Sequence, residues 1–237
     1  VDPAVVWIIG SGTEPRLREP MGVVAHPDGN VYVADAALGQ VVGFDAAGNV
    51  ASIYGAGVLE EPVDVALSPD GRRLHVADAQ ADRIAVFDLE GGGEIGSLGR
   101  RGKGAGEFYL PTAVEFDDIG LLMVVDQLNS RVQIFDGGTE FTRALYPDRS
   151  TGFSRPRDVA VDAAGRIYLP DSAQSRISVF DGDLEPLFTL GRNGLSDGEF
   201  LGVGAIAVSG DRLAVLDRAG GRLQLFDLVG VEPRPVA

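Results

Sequence analysis

The 237-residue chain reads as an all-β protein built from repeated four-stranded antiparallel units closed into a ring. Three observations predict this. Five segments end in a Phe-Asp pair: VVGFD (41–45), IAVFD (84–88), VQIFD (132–136), ISVFD (177–181) and LQLFD (223–227). Nine residues before each Phe another Asp closes a second apolar run, at Asp35, Asp78, Asp126, Asp171 and Asp217. Five residues after that Asp comes Gln40, Arg83, Arg131, Arg176 or Arg222. Spacings held through five copies mark a structural repeat, and a period of 43 to 48 residues between successive Phe is that of a β-propeller blade.

Each element follows from local chemistry. The first run of a unit is MGVVAH (21–26), VDVALS (63–68), TAVEFD (112–117), RDVAVD (157–162) or AIAVS (205–209), and Pro20, Pro62, Pro111 or Pro156 precedes the first four. A turn follows at 27–29, 69–71, 118–120 and 163–165, each ending in Gly, which supplies the positive φ of a tight hairpin. In the fifth copy it shortens to Ser209-Gly210-Asp211. The second and third runs are the Asp-ended and Phe-Asp-ended segments. The fourth is NVASIY (49–54), EIGSL (94–98), FTRALY (141–146) or LFTL (187–190). All are short, β-branched or aromatic-rich and bounded by Gly, Pro or Asp, hence strands. No stretch of ~12 residues carries a helical period.

One four-stranded sheet cannot bury both faces, whereas a ring of sheets can. The last repeat ends after its third strand, and residues 4–9, within VVWIIG (5–10) and its preceding Ala4, supply a spare fourth strand. The sequence therefore predicts one domain over 1–237, with repeats at about 20–55, 62–99, 111–147, 156–191 and 203–228 and residues 4–9 closing the last blade. A six-bladed ring is the alternative, but it needs roughly 30 further residues.

Composition removes several functions. The chain has no Cys and two His, His26 and His75, which excludes disulfides, thiolate metal sites and cysteine nucleophiles and leaves little for a histidine-built metal cage. A net charge of -15 opposes nucleic acid as the main partner. No apolar run reaches the ~18 residues of a membrane span. One Lys among 20 basic residues points to a GC-rich, bacterial genome. The start at Val1 reads as processed or trimmed, and export to the periplasm or medium is expected.

The pattern P-x-[GD]-[VI]-A-V-x-x-x-G-x-[IL]-Y-V-A-D-x4-R-[IV]-x-V-F-D is clearest in RPRDVAVDAAGRIYLPDSAQSRISVFD (155–181) and EPVDVALSPDGRRLHVADAQADRIAVFD (61–88). With its Gly-rich GEF connections at 106–108 and 198–200, it resembles the NHL repeat over essentially the whole chain. That resemblance implies a propeller, usually six-bladed. RNA binding is known among animal NHL proteins, and the propeller lyases that resemble them use several histidines around a metal.

The repeated residues read as architecture. An Asp once per blade does a once-per-blade job: it accepts backbone N–H groups of the following loop, and the Arg five residues on reaches the same carboxylate. Phe44, Phe87, Phe135, Phe180 and Phe226 read as inter-blade core. Asp64, Glu115, Arg157 and Asp158 are expected on the innermost strands that line the channel. No G-x-S-x-G, P-loop or H-E-x-x-H motif occurs.

The strand-4-to-strand-1 connections (10–20, 55–62, 99–111, 147–156 and 191–203) gather on one face. Candidate binding residues there or at its edge are Arg100, Arg101, Lys103, Tyr109, Phe153, Arg155, Arg157, Arg192 and Phe200, since aromatics and Arg anchor interfaces. The expected function is a non-enzymatic propeller that binds a protein, glycan or peptide through this face, as a subunit of a larger extracytoplasmic assembly. It needs no cofactor, although carboxylates and carbonyls leave room for calcium or magnesium. The rival is a carboxylate-metal lyase or hydrolase with its site at the channel.

Overall fold

A computed structural model describes residues 16–147 and 153–228. Five antiparallel sheets surround a common axis as a five-bladed β-propeller. The first blade comprises β1 (Pro20–Ala25), β2 (Val31–Asp35), β3 (Gln40–Phe44) and β4 (Val50–Tyr54). The second holds β5 (Pro62–Leu67), β6 (Arg73–Asp78), β7 (Arg83–Asp88) and β8 (Glu94–Leu98). The third holds β9 (Pro111–Phe116), β10 (Leu121–Asp126), β11 (Arg131–Asp136) and β12 (Glu140–Leu145), with a 3₁₀ turn over Gln127–Asn129. The fourth holds β13 (Ala160–Val161), β14 (Ile167–Asp171), β15 (Arg176–Phe180) and β16 (Pro186–Leu190). In the fifth, β17 (Val203–Ser209), β18 (Arg212–Asp217) and β19 (Arg222–Asp227) form a sheet of three strands among the described residues. The expected closing strand, residues 4–9, lies outside them.

The core sits between blades. In the first four blades the second and third strands are buried on both faces, so they read as nearly continuous apolar runs rather than alternating ones, whereas β18 and β19 of the fifth blade alternate. Phe87 packs into a cluster with Tyr32, Val41 and Tyr54 of the preceding blade. Phe135 does the same against Ala77 and Ile84, Phe180 against Met123 and Ile134, and Phe226 against Ile177 and Val179. One aromatic per repeat thus locks the second to fifth blades each to the one before it, while Phe44 packs within a cluster of its own blade. Burying such a side chain is worth about 2–3 kcal/mol.

Strand order places the strand-4-to-strand-1 connections and the strand-2-to-strand-3 turns together on one face, hereafter the loop face. Register fixes the same point: Pro20, Pro62, Pro111 and Val203 stand opposite Asp35, Asp78, Asp126 and Asp217. This extends one expectation. The repeated Asp carboxylates do bind the following loop, as in Leu38 N to Asp35 at 3.0 Å, but they also hold the connection that enters their own blade. Asp35 accepts from Arg18 N and Glu19 N (2.6 and 3.0 Å), and Asp78 from Glu60 N and Glu61 N (3.0 and 2.9 Å). Asp126 accepts from Tyr109 N at 2.8 Å, Asp171 from Ser154 N, and Asp217 from Gly202 N at 2.9 Å. The arriving chain has amides ahead of strand 1 with no ladder partner, and a buried carboxylate directly across the sheet satisfies them. All five carboxylates are fully buried.

Candidate functional site

Two long connections on the loop face, 99–110 and 191–202, are built alike. Gly99 and Gly191 let the rings of Phe108 and Phe200 lie against the backbone, where a Cβ would come within 2.3 and 2.2 Å. Glu107 Oε2 accepts Gly104 N at 3.0 Å and its Oε1 pairs with Arg100 at 3.0 Å. Glu199 repeats this with Ser196 N and Arg192, both at 2.9 Å. The loop amide, then the Arg, holds each carboxyl below its usual range.

Each loop is clamped by the third strand of its following blade. Arg131 Nη2 donates to the Gly104 and Glu107 carbonyls (2.7 and 2.8 Å), and Gln133 Nε2 donates to the Glu107 carbonyl at 2.8 Å. Gln133 Oε1 accepts from Gly106 N at 2.9 Å. Arg222 and Gln224 make the same contacts to Ser196, Glu199 and Gly198. Sequence reasoning missed this clamp, although a signal existed: Gln stands two residues after the repeated Arg only in the two copies that follow a GEF connection. Val42, Ala85 and Ser178 occupy the position elsewhere.

The predicted binding residues divide. Arg100, Arg101, Lys103, Arg155, Arg157 and Arg192 are exposed on the loop face. Arg101 lies over the Tyr109 ring, 4.6 Å from its centroid, a cation–π contact that braces the basic loop. Phe153 and Phe200 are instead in inter-blade clusters, 2% and 0% exposed, so neither is available to a partner. Aromatic type alone could not tell an anchor from core. Conversely, exposed apolar residues on this face, Met21, Val58, Leu128, Leu195 and Leu201, were not singled out, because each is an isolated side chain, Met21 at the start of β1 and the others in the connections and turns.

At the centre of this face the channel opens. Its mouth, ≈ 380 Å³, is lined by Met21, Val63, Thr112, Arg157 and Gly204, one from each innermost segment, together with Arg218. It continues into a cavity of ≈ 660 Å³ that carries the expected Asp64, Glu115 and Asp158. Asp64 Oδ2 accepts Val114 N of the third blade at 2.9 Å, and Asp158 Oδ2 accepts Ile206 N of the fifth at 2.8 Å. Both therefore staple one blade to the next. Gly22, at the matching place in the first blade, is needed because a Cβ there would sit 2.4 Å from Asp64 Oδ1.

Burial raises all three carboxyls. Asp64 lies well above the usual range through burial and then the charge of Asp158, against the pull of the Val114 and Val65 amides. Glu115 is pushed up to about 7 by burial and Asp158. Asp158 is pushed up to about 6 by burial, opposed by the Ile206 and Val159 amides. Among the described residues no group of three or more His, Asp or Glu is arranged to hold a metal ion, and no helix is long and apolar enough to cross a membrane.

No family model matches the chain. Solved structures similar in fold include the following three. A nidogen/laminin complex matches with a TM-score of 0.70 and 19% identity, over 88% of this chain and 76% of that one. Hydrazine synthase of Kuenenia stuttgartiensis matches with a TM-score of 0.67 and 18% identity, over 94% and 70%. A catalytically inactive virginiamycin B lyase from Staphylococcus aureus, with quinupristin, matches with a TM-score of 0.69 and 13% identity, over 91% and 68%. A binding complex and two enzymes share this architecture, so the likeness carries fold and not activity. In fold, the chain is a β-propeller.

Proposed function

We propose that this chain is an NHL-like binding propeller that engages a protein partner through its loop face. The observation that carries the reading is the distribution of exposed apolar side chains between the two faces. Met21, Val58, Leu128, Tyr146, Leu195 and Leu201, 38% to 64% exposed, stand on the loop face, whereas Ile95, Ile119, Phe141 and Leu187 stand toward the opposite face among the described residues. Apolar and aromatic groups set among Arg side chains are the composition of a protein interface. Clamped connections present them with little ordering entropy left to lose on binding. The structural neighbour from a nidogen/laminin complex supports the same class of role, and an extracytoplasmic assembly remains the proposed setting.

The test is affinity capture from the native source with wild type, Leu195→Asp/Leu201→Asp, and Ile119→Asp as the opposite-face control. The expected result is one protein retained by wild type and Ile119→Asp and lost by the loop-face variant. A partner retained equally by all three would overturn the assignment of the face, and turnover at the channel without a partner would favour the enzyme reading.

A further inference from the structure

The chain holds 35 acidic and 20 basic side chains, and seven of its seventeen described arginines find a carboxylate. Arg83, Arg100, Arg101, Arg131, Arg166, Arg192 and Arg222 each stand within 4 Å of one. Arg157 and Arg218 are among those that do not: neither guanidinium has an ionic or hydrogen-bond partner among the described residues, although the Arg218 backbone N–H donates to the Gly202 carbonyl. They come from the fourth and fifth blades, yet both line the channel mouth and the cavity just beneath it. Gly204 makes this placement possible, since a Cβ there would lie 2.4 Å from Cγ and Cδ of Arg218. Thr112, from the third blade, lines the same space, and its Oγ1 is buried without a partner. Three donors from three blades thus converge on one cavity with nothing to receive them.

We propose that the channel mouth is a carboxylate-binding site, in which Arg157 and Arg218 take the charge and Thr112 Oγ1 donates a further hydrogen bond. Guanidinium groups match carboxylate geometry and hold it through charge-assisted bonds. A mouth of ≈ 380 Å³ admits one carboxylate-bearing side chain or chain end. Its surroundings choose between anions. Glu61 stands at the rim and Asp64 and Asp158 lie below, with Glu115 deeper. Near neutrality Glu115, at about 7, is about half protonated while Asp158, at about 6, is mostly ionised, so the field below the arginines stays negative and favours a monoanion over a dianion. This inference rests on the proposed function for its setting: the carboxylate is an acidic side chain or the C-terminus of the bound protein.

The experiment follows the Arg Nε–H signals of the whole isotope-labelled chain by NMR at neutral pH. The probes are N-acetyl-aspartic acid amide for a side chain, N-acetyl-glycine for a chain end, and inorganic phosphate. The expected result is saturable, millimolar perturbation of Arg157 and Arg218 by one or both carboxylates, weakened about tenfold in R157Q and in R218Q. The tighter carboxylate identifies the source. No saturation, unchanged binding in R157Q/R218Q, or tighter binding of phosphate would overturn it. Both arginines are exposed, so the variants keep the core intact. Partner capture that survives R157Q/R218Q sinks this inference alone, whereas carboxylate binding without any loop-face partner sinks the broader reading alone.

Discussion

Acidification from about pH 8 to about pH 5.5 is expected to stabilise this protein, the reverse of the usual loss when paired carboxylates protonate. The sign follows from proton counts. A carboxyl whose folded pKa is raised binds more protons folded than unfolded, so its penalty is felt at high pH and relieved as pH falls through the folded value. Glu115, moved from 4.5 to about 7, contributes about 2 kcal/mol at pH 5.5 relative to pH 8, and Asp158, moved from 3.8 to about 6, about 1 kcal/mol. Asp64 adds in the same direction.

His75 works against them. It is 2% exposed, its Nδ1 has no partner, and its ring meets the edge of Phe116 at 4.9 Å. Burial, then the charge of Arg73, against the pull of Asp70, lowers it to about 4. The unfolded chain therefore takes up the extra proton below the ordinary histidine value, which removes about 1.4 kcal/mol at pH 5.5. Urea unfolding followed by circular dichroism separates the opposed effects. Wild type should gain about 1 kcal/mol or more on acidification, H75L about 3 kcal/mol or more, and H75L/E115Q/D158N only the part due to Asp64. If H75L is no more stable at pH 5.5 than at pH 8, the account of the channel is wrong.

Two further outcomes test the scaffold. Asp126→Asn should lose about 3–5 kcal/mol, because it strands Arg131, which lies 2.7 Å away and is 3% exposed. Asp35→Asn, whose carboxylate serves only backbone amides among the described residues, should lose about 1–2 kcal/mol by the same denaturation assay, and equal losses would refute the distinction. Gln133→Ala should free the Gly106 amide, which donates to Gln133 Oε1 at 2.9 Å. Its hydrogen exchange should quicken at least about tenfold while Gly198, held by Gln224, is unchanged; equal protection in both loops would show that the clamp does not order its connection.

Much of this molecule was legible in one dimension because its determinants are local and repeated. An apolar run closed by Asp35 or Asp78, a turn, and a run closed by Phe44 or Phe87 encode strand, turn and strand within a few residues. The recurrence of that unit encodes a stack, since Phe87, Phe135, Phe180 and Phe226 each find cover on the preceding copy. The channel placement of Asp64, Glu115 and Asp158 followed from the same repetition. Phe153 and Phe200 went the other way, since a loop aromatic faces solvent or core according to a cavity that its neighbours in sequence do not define.

The period of the chain was enough to give blades, their strand order and the face on which the connections gather, because short-range hydrogen bonding and side-chain alternation set these. Which charges are spent inside the scaffold and which stand free depended on closing the ring. Arg131 is buried against Asp126, as its spacing predicts, but it also holds the carbonyls of a GEF loop, a contact that the Asp–Arg spacing does not record. Arg157 and Arg218 belong to different blades and meet only around the axis. Ion pairing depends on distance through space, and distance between blades is a property of the assembled ring rather than of the order of residues.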